Sequence, residues 1–284
     1  MKNFGVQMFG TSEEINKLGL ENLLKSIKDI GYDSLEMCSI FGMNFPEVRN
    51  KLDEMAKFFK LPLPSSVWGI PETETNIKKA REMGLEVVSI HAFALGGIPG
   101  IVEKCIPEII EFTKRNSIKH IVLSYMLKDK EGCDNVKDDV NILVEELDKA
   151  GVTISYHNHE MELIKIDNDK TVLDYLLEIC DNRLKIQFDT GWGTYADDDV
   201  LEFIEKYKDR IVSLHLKDID ADFKNIDRRE IFTAIGVGCV KNKEAVQLAE
   251  KLGIVKFGTY IDQDNSRTGN MIEDLKFGYS FIRG

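Results

Sequence analysis

The sequence predicts a single α/β domain folded as a (β/α)8 TIM barrel. Short apolar strands alternate with amphipathic helices from one end of the chain to the other. Eight such strands can be counted in 284 residues, a length that suits eight βα units. No low-complexity linker divides the series, so one domain is expected. An open doubly wound sheet of eight strands is the alternative. The choice matters, because a barrel gathers every strand C-terminus around one mouth.

Residues 4–9 read as the first strand, and 18–30 as a helix closed by Gly31. Residues 34–38 give the second strand. A helix is expected over 45–60, with Pro46 placed for its first turn. The run LPLPSSVWGIP, 61–71, holds three of the six prolines and takes no regular assignment. Residues 75–83 are helical, Gly84 ends them, and LEVVSIHAF, 85–93, is the third strand. A helix over 101–115 leads to the fourth strand, 119–125, and a helix over 136–150. The fifth strand, 152–157, is followed by a helix over 171–180. The sixth, 184–189, precedes a helix at 200–207. The seventh, 211–216, precedes a helix at 244–252, and 255–262 is the eighth strand.

The additional helix and the proline-rich stretch form an insertion at about 39–72. Because it follows a strand C-terminus, it is expected at the barrel mouth. There it either covers a substrate or offers Phe58, Phe59 and Trp68 to another subunit, which leaves a homo-oligomer open.

Composition narrows the class of function. A net charge of −12 and a pI near 5.0 argue against a partner that binds through a phosphate backbone. The five cysteines (38, 105, 133, 180 and 239) are scattered and form no CxxC, as expected of reduced thiols in a cytoplasm. The N-terminal residues turn polar within a few positions, so no signal peptide is expected, and no apolar run is long enough to cross a bilayer. The expectation is a soluble cytoplasmic protein without nucleic-acid or membrane partners.

The strand tips carry the chemistry. Side chains along a strand alternate between two faces. In the fifth strand Ile154 and Tyr156 alternate with Ser155 and His157, and His159 continues the polar register. In the sixth, Lys185, Gln187 and Asp189 alternate with Leu184, Ile186 and Phe188. In the seventh, Ser213, His215 and Lys217 alternate with Val212, Leu214 and Leu216. Ser89 and His91 in the third strand, Tyr260 and Asp262 in the eighth, and Glu36 in the second repeat the pattern. Burying so many polar groups without partners costs several kcal/mol each. A divalent cation is an economical partner, and two imidazoles with two carboxylates suit Mn, Co, Zn or Fe, with Mg also open.

The runs YHNHEMEL (156–163), FDTGW (188–192), HLKD (215–218) and IDQD (261–264), in this order and spacing, resemble the sugar phosphate isomerase/epimerase family. These are the xylose-isomerase-like barrels, and the likeness is to the branch with HNH on the fifth strand. It extends through GYDSLEM (31–37), VSIHAF (88–93) and IKHIVLSYM (118–126), and so covers nearly the whole chain. The resemblance implies one divalent metal ion held by His157, Asp189, His215 and Asp262. It also implies a small carbohydrate substrate.

Two departures from the family stand out. Many of its ketose 3-epimerases place glutamates on strands five and eight, as ligands and proton carriers. His157 and Asp262 occupy those places here, which counts against plain ketose 3-epimerisation. The loop AIGVGCV (234–240) resembles the family's Gly-x-Gly loop without its preceding acidic residue.

The expected reaction is proton transfer alpha to the carbonyl of a small keto sugar, as an isomerase or epimerase. Asp262, His159 and Lys217 are the expected catalytic groups. His91, Trp192 and Glu36 are the expected substrate contacts, with core packing as the alternative for His91 and Trp192. Glu160 and Glu162 read as ordinary loop carboxylates. Glycines 96, 97 and 100 read as a flexible loop, and 197–199 as an acidic first turn of a helix. The chain also resembles inosose dehydratases, which would use the same metal site as lyases. A non-catalytic sugar-binding barrel is the further alternative. A DNA-repair endonuclease of the same superfamily is opposed by the acidic balance.

Overall fold

The computed structural model describes residues 3–42, 65–94, 96–167, 169–228 and 230–284. The expected helix over 45–60, with Phe58 and Phe59, lies outside the described residues.

Eight strands run parallel: β1 (Phe4–Gln7), β2 (Ser34–Ile40), β3 (Glu86–Phe93), β4 (His120–Ser124), β5 (Thr153–His157), β6 (Lys185–Asp189), β7 (Ile211–Leu216) and β8 (Gly258–Ile261). Each pairs with the next, and β8 returns to β1 through Val6↔Ile261, closing the ring. A closed ring excludes the open doubly wound sheet. Among the described residues one main helix follows each strand: α1 (Leu20–Ile30), α2 (Ile70–Glu82), α3 (Ile106–Asn116), α4 (Lys130–Lys149), α5 (Val172–Ile179), α6 (Val200–Lys206), α7 (Asn242–Leu252) and α8 (Met271–Arg283), with shorter helices over Ser12–Leu18, Gly97–Lys104 and Thr190–Tyr195. Gly31 closes α1 at φ +120°, a conformation that L side chains rarely adopt. No helix of the described residues is long and apolar enough to cross a membrane, and all five cysteines are unpaired.

Several elements differ from the sequence reading. Gly97 and Gly100, read as part of a flexible loop, lie in a helix over Gly97–Lys104 that starts just after Gly96 in the left-handed region and is separate from α3. Residues 67–69 are not irregular: Val67–Gly69 forms a short strand beside the C-terminal half of β2, from Cys38↔Val67 to Ile40↔Gly69. Helix α2 then starts at Ile70 rather than 75, with Pro71 in its first turn, where a missing N–H costs nothing. Helix α8 was not anticipated. Gly278 in mid-helix weakens its sequence signal. In the fold that glycine lets the helix approach the barrel, since a Cβ there would lie 3.1 Å from Ile235 and from Ile261.

The strand faces part by residue kind. Leu35, Ile90, Ile121, Tyr156, Ile186, Leu214 and Ile261 pack against the helices in the apolar core. Glu36, Ser89, His120, Ser155, Gln187 and Ser213 are fully buried on the other face and bond to one another across the ring. The barrel floor is therefore polar, and the mouth lies above it.

Candidate metal and substrate site

His157, Asp189, His215 and Asp262 converge at the tips of β5, β6, β7 and β8. One ligand atom from each lies within 4.8 Å of the others, and all four residues are buried. His91, His157 and His215 form an overlapping cluster by the same measure.

The motifs around them are built to hold those tips. Asn158 joins β5 to β6, its Oδ1 accepting from the Asp189 amide at 3.0 Å. Asp189 Oδ1 accepts from the Trp192 amide at 2.8 Å and so caps the short helix Thr190–Tyr195. The Thr190 hydroxyl donates to Asn242 Oδ1 at 2.7 Å, and Asn242 Nδ2 donates to the Lys217 carbonyl at 3.1 Å. Gly191 must lack a side chain, because a Cβ would come 2.7 Å from Lys217 Cβ.

Asp218 is turned away from the mouth. Its carboxylate accepts from the amides of Gly236, Gly238, Val240 and Ile219, which pins the glycine loop after β7. That loop's missing acidic residue is thus offset from inside the fold. Glu162, read as an ordinary loop carboxylate, is fully buried. It accepts from the Leu127 amide at 2.6 Å, the Tyr156 hydroxyl at 2.8 Å and the His159 amide at 2.8 Å. It therefore holds the loop that carries His159. Glu160 pairs with Arg228 at 2.6 Å, and that guanidinium lies 4.5 Å over the Trp192 ring.

Beneath the four residues lies a dense hydrogen-bond network. Glu36 Oε2 sits 2.5 Å from His215 Nε2, 3.0 Å from His91 Nε2 and 3.1 Å from Gln7 Nε2. Glu36 Oε1 accepts from Ser89 Oγ at 2.5 Å and from Gln187 Nε2 at 2.8 Å. Gln187 Oε1 lies 2.8 Å from His91 Nε2 and 3.1 Å from His157 Nδ1. His120 spans Ser89 and Ser155 at 2.9 and 2.7 Å and stacks on Phe257.

Lys217 places a buried cation at the mouth. The Lys217 ammonium lies 2.7 Å from Asp264 and 3.0 Å from Asp262, under the rings of Phe232 and Trp192. Burial lowers its pKa, but Asp262 and Asp264 more than reverse this and hold it well above the usual lysine range. Burial pushes the Asp262 carboxyl up, but Lys217 and His215 bring it far below its ordinary value. Burial raises Asp189 to about 7. His159 is lowered to about 4 by burial and then by Lys217, so it is neutral near pH 7.

Among the described residues, Asp189 Oδ2, Asp262 Oδ1 and His215 Nδ1 have no hydrogen-bond partner although buried. His215 Nδ1 lies 3.3 Å from Asp262 Oδ2, without hydrogen-bond alignment. Orphaned buried donors and acceptors are rare and costly. Two imidazoles and two carboxylates so arranged fit a divalent cation in donor type, number and proximity.

A cavity of about 160 Å3 opens above them, lined by His91, Trp192, His159, Lys217 and Asp264 among others. That is below the roughly 300–1,000 Å3 of a drug-sized site and suits a small ligand. Glu36 is a correction to the sequence reading. It does not line the cavity, is fully buried, and both its oxygens are taken by protein donors, so it is not a substrate contact. Strand β2 runs on to Ile40, which leaves Glu36 four residues short of the mouth. Asp264 and Gln7 line the cavity and were not foreseen. The signal for Asp264 was present, since it continues the alternation of Tyr260 and Asp262.

Residues 24–278 match the family model described as the xylose isomerase-like TIM barrel. Over 244 residues the chain is 24% identical to an inosose dehydratase of Geobacillus kaustophilus, covering 78% of this chain and 72% of that protein. A sugar phosphate isomerase/epimerase from Parabacteroides distasonis superposes with a TM-score of 0.72 at 19% identity, over 98% of this chain and 96% of the other. A xylose isomerase-like TIM barrel protein from Mycobacterium smegmatis, in complex with magnesium, superposes with a TM-score of 0.65 at 13% identity, over 99% and 95%.

Proposed function

The chain belongs to the xylose isomerase-like TIM-barrel family, and on that premise we propose that it is a divalent-metal-dependent isomerase or epimerase of a small keto sugar or sugar derivative. Its reaction is proton transfer alpha to a carbonyl. The observation that carries this reading is the set of orphaned atoms on Asp189, His215 and Asp262, three residues that each bring a ligand atom within 4.8 Å of the others and of His157. A cation held by these four residues would polarise a substrate carbonyl and its neighbouring hydroxyl. Mn, Co, Zn, Fe and Mg all match the ligand types, and magnesium accompanies one structural neighbour.

The chain's own groups supply the rest. His159 is neutral near pH 7, lines the cavity and has an unpartnered Nδ1, which equips it to take the alpha proton. The Lys217 ammonium stabilises negative charge as it develops on the substrate oxygen, and can return a proton. Asp262 keeps Lys217 charged while serving as ligand, and Asp264 shares that task. Trp192 offers an indole wall for the ring of a bound sugar, and His91 stands at the cavity edge as a hydroxyl partner.

Dehydration is the second reading, favoured by the 24% identity to an inosose dehydratase. There the base takes the alpha hydrogen as a proton, and the beta hydroxyl leaves with an acid's proton as water. A panel of keto sugars and inososes with added Mn2+ in deuterated buffer tests both. Isomerisation or epimerisation with solvent deuterium at the alpha carbon is expected. Loss of water with deuterium exchange would move the assignment to a lyase. No exchange on any member of the panel would defeat both.

A further inference from the structure

We propose that one buried carboxylate, Glu36, decides which nitrogen each metal-facing imidazole offers, directly at His215 and through the Gln187 amide at His157. The proposal rests on the metal reading above and concerns what lies beneath the site.

An ionised carboxylate only accepts hydrogen bonds. Glu36 is fully buried, with Oε2 facing nitrogens of Gln7, His91 and His215 and Oε1 accepting from Ser89 Oγ and Gln187 Nε2, so every neighbour is placed to donate to it. His215 must therefore present its Nε2–H to Glu36 Oε2, 2.5 Å away, which leaves Nδ1 as the nitrogen that faces the site and gives up its proton to a cation. That nitrogen is the orphaned one.

The same carboxylate orients Gln187. The amide group Nε2 donates to Glu36 Oε1 at 2.8 Å and to Ser213 Oγ at 3.2 Å. Ser213 has the free lone pair this needs, because its own hydroxyl donates to the Gly258 carbonyl. With the amide nitrogen fixed on one side, Gln187 Oε1 must face the other, 3.1 Å from His157 Nδ1 and 2.8 Å from His91 Nε2. A carbonyl oxygen also only accepts. His157 therefore carries its proton on Nδ1 and turns a bare Nε2 toward the site.

The two imidazoles thus present different nitrogens, and both assignments trace to one buried anion. In Glu36→Gln the volume is kept, but the new amide can face either way. Gln187 is then free to turn, and neither ring is held to one tautomer. Glu36 and Gln187 are positioning residues; neither has to touch substrate.

Long-range proton–nitrogen spectra of protein labelled with 15N-histidine, with and without Zn2+ at pH 8, test this together with Zn2+ and Mn2+ affinities from chelator competition. In the wild type, His157 should be the Nδ1–H tautomer with or without metal, and zinc-bound His215 should keep its proton on Nε2. Glu36→Gln should retain its circular dichroism, show mixed tautomers at His157, and bind either ion 10–100-fold more weakly. Gln187→Met should disturb His157 and spare His215. A Glu36→Gln variant with both tautomers and full affinity intact would overturn the proposal. So would a wild-type His157 protonated on Nε2, a result that needs no variant to fold. A wild type that takes up neither ion would remove the metal reading instead, while the metal-free His157 tautomer still decides this one.

Discussion

His215 shows how much a neighbourhood adds to a residue type. Burial alone would lower its pKa, but Glu36 and Asp262 raise it to about 10. A ligating nitrogen must be unprotonated. Uptake of a cation at pH 8, where Asp189 is already mostly ionised, is therefore expected to release about one proton per ion, with affinity rising as pH rises toward 10. Calorimetry in two buffers of different ionisation heat measures that number, and a value of zero would remove His215 from the ligand set. His215→Ala and Asp189→Ala should lose metal by elemental analysis while keeping the fold; full occupancy in both would defeat the assignment. Asp262→Glu lengthens the side chain by one methylene, and catalytic placement tolerates only about half an ångström of error. It should keep metal and gain no activity on simple ketoses. Brisk 3-epimerisation by that variant would identify Asp262 as an adjusted base. These residues were legible because each ends a strand. Glu36 was misread because its depth depends on where β2 ends, and residue kinds alone do not say.

Among the elements, the loop after β7 depends most on a single side chain. Asp218 satisfies four amides, three of them in the glycine loop, and a Cβ on Gly238 would lie 2.2 Å from the Ile219 carbonyl oxygen and 2.3 Å from Asp218 Oδ1. Asp218→Asn replaces an acceptor oxygen with a donor that faces N–H groups. It should cost about 1–3 kcal/mol of stability. It should also raise hydrogen exchange in the loop's amides, leaving metal affinity nearly unchanged. An unaltered exchange pattern would show that the loop is held by other contacts. The alternation of strand and helix was readable because each βα unit repeats the same two periodicities. The strand Val67–Gly69 was not, because it spans three residues and pairs only with the upper half of β2. Helix α8 was missed for a different reason. Gly278 looks like a helix breaker in sequence, while in the fold it makes room for Ile235 and Ile261.

At the scale of the whole molecule, this barrel has a polar floor, and that ties its stability to pH. His120 is fully enclosed between Ser89, Ser155 and the Phe257 ring, and burial lowers its pKa to about 3. An unfolded histidine titrates near 6.5. Above about 6.5 both states leave the ring neutral, and the stability from this group is fully present. As pH falls from about 6.5 toward 3, the unfolded chain takes up a proton that the folded barrel refuses. Stability then falls by about 1.4 kcal/mol per pH unit for each such proton. His157 and His159 are lowered as well and act in the same sense. His215 is raised and opposes them. The His120 share can be isolated by substitution. His120→Gln loses the stack on Phe257 and should be less stable above about pH 6.5, but its stability should fall less steeply with pH between about 6.5 and 4.5. Urea unfolding of metal-free protein across that window reads the slope directly. Equal slopes for wild type and variant would show that His120 is not the proton the barrel excludes, however much its overall stability had changed.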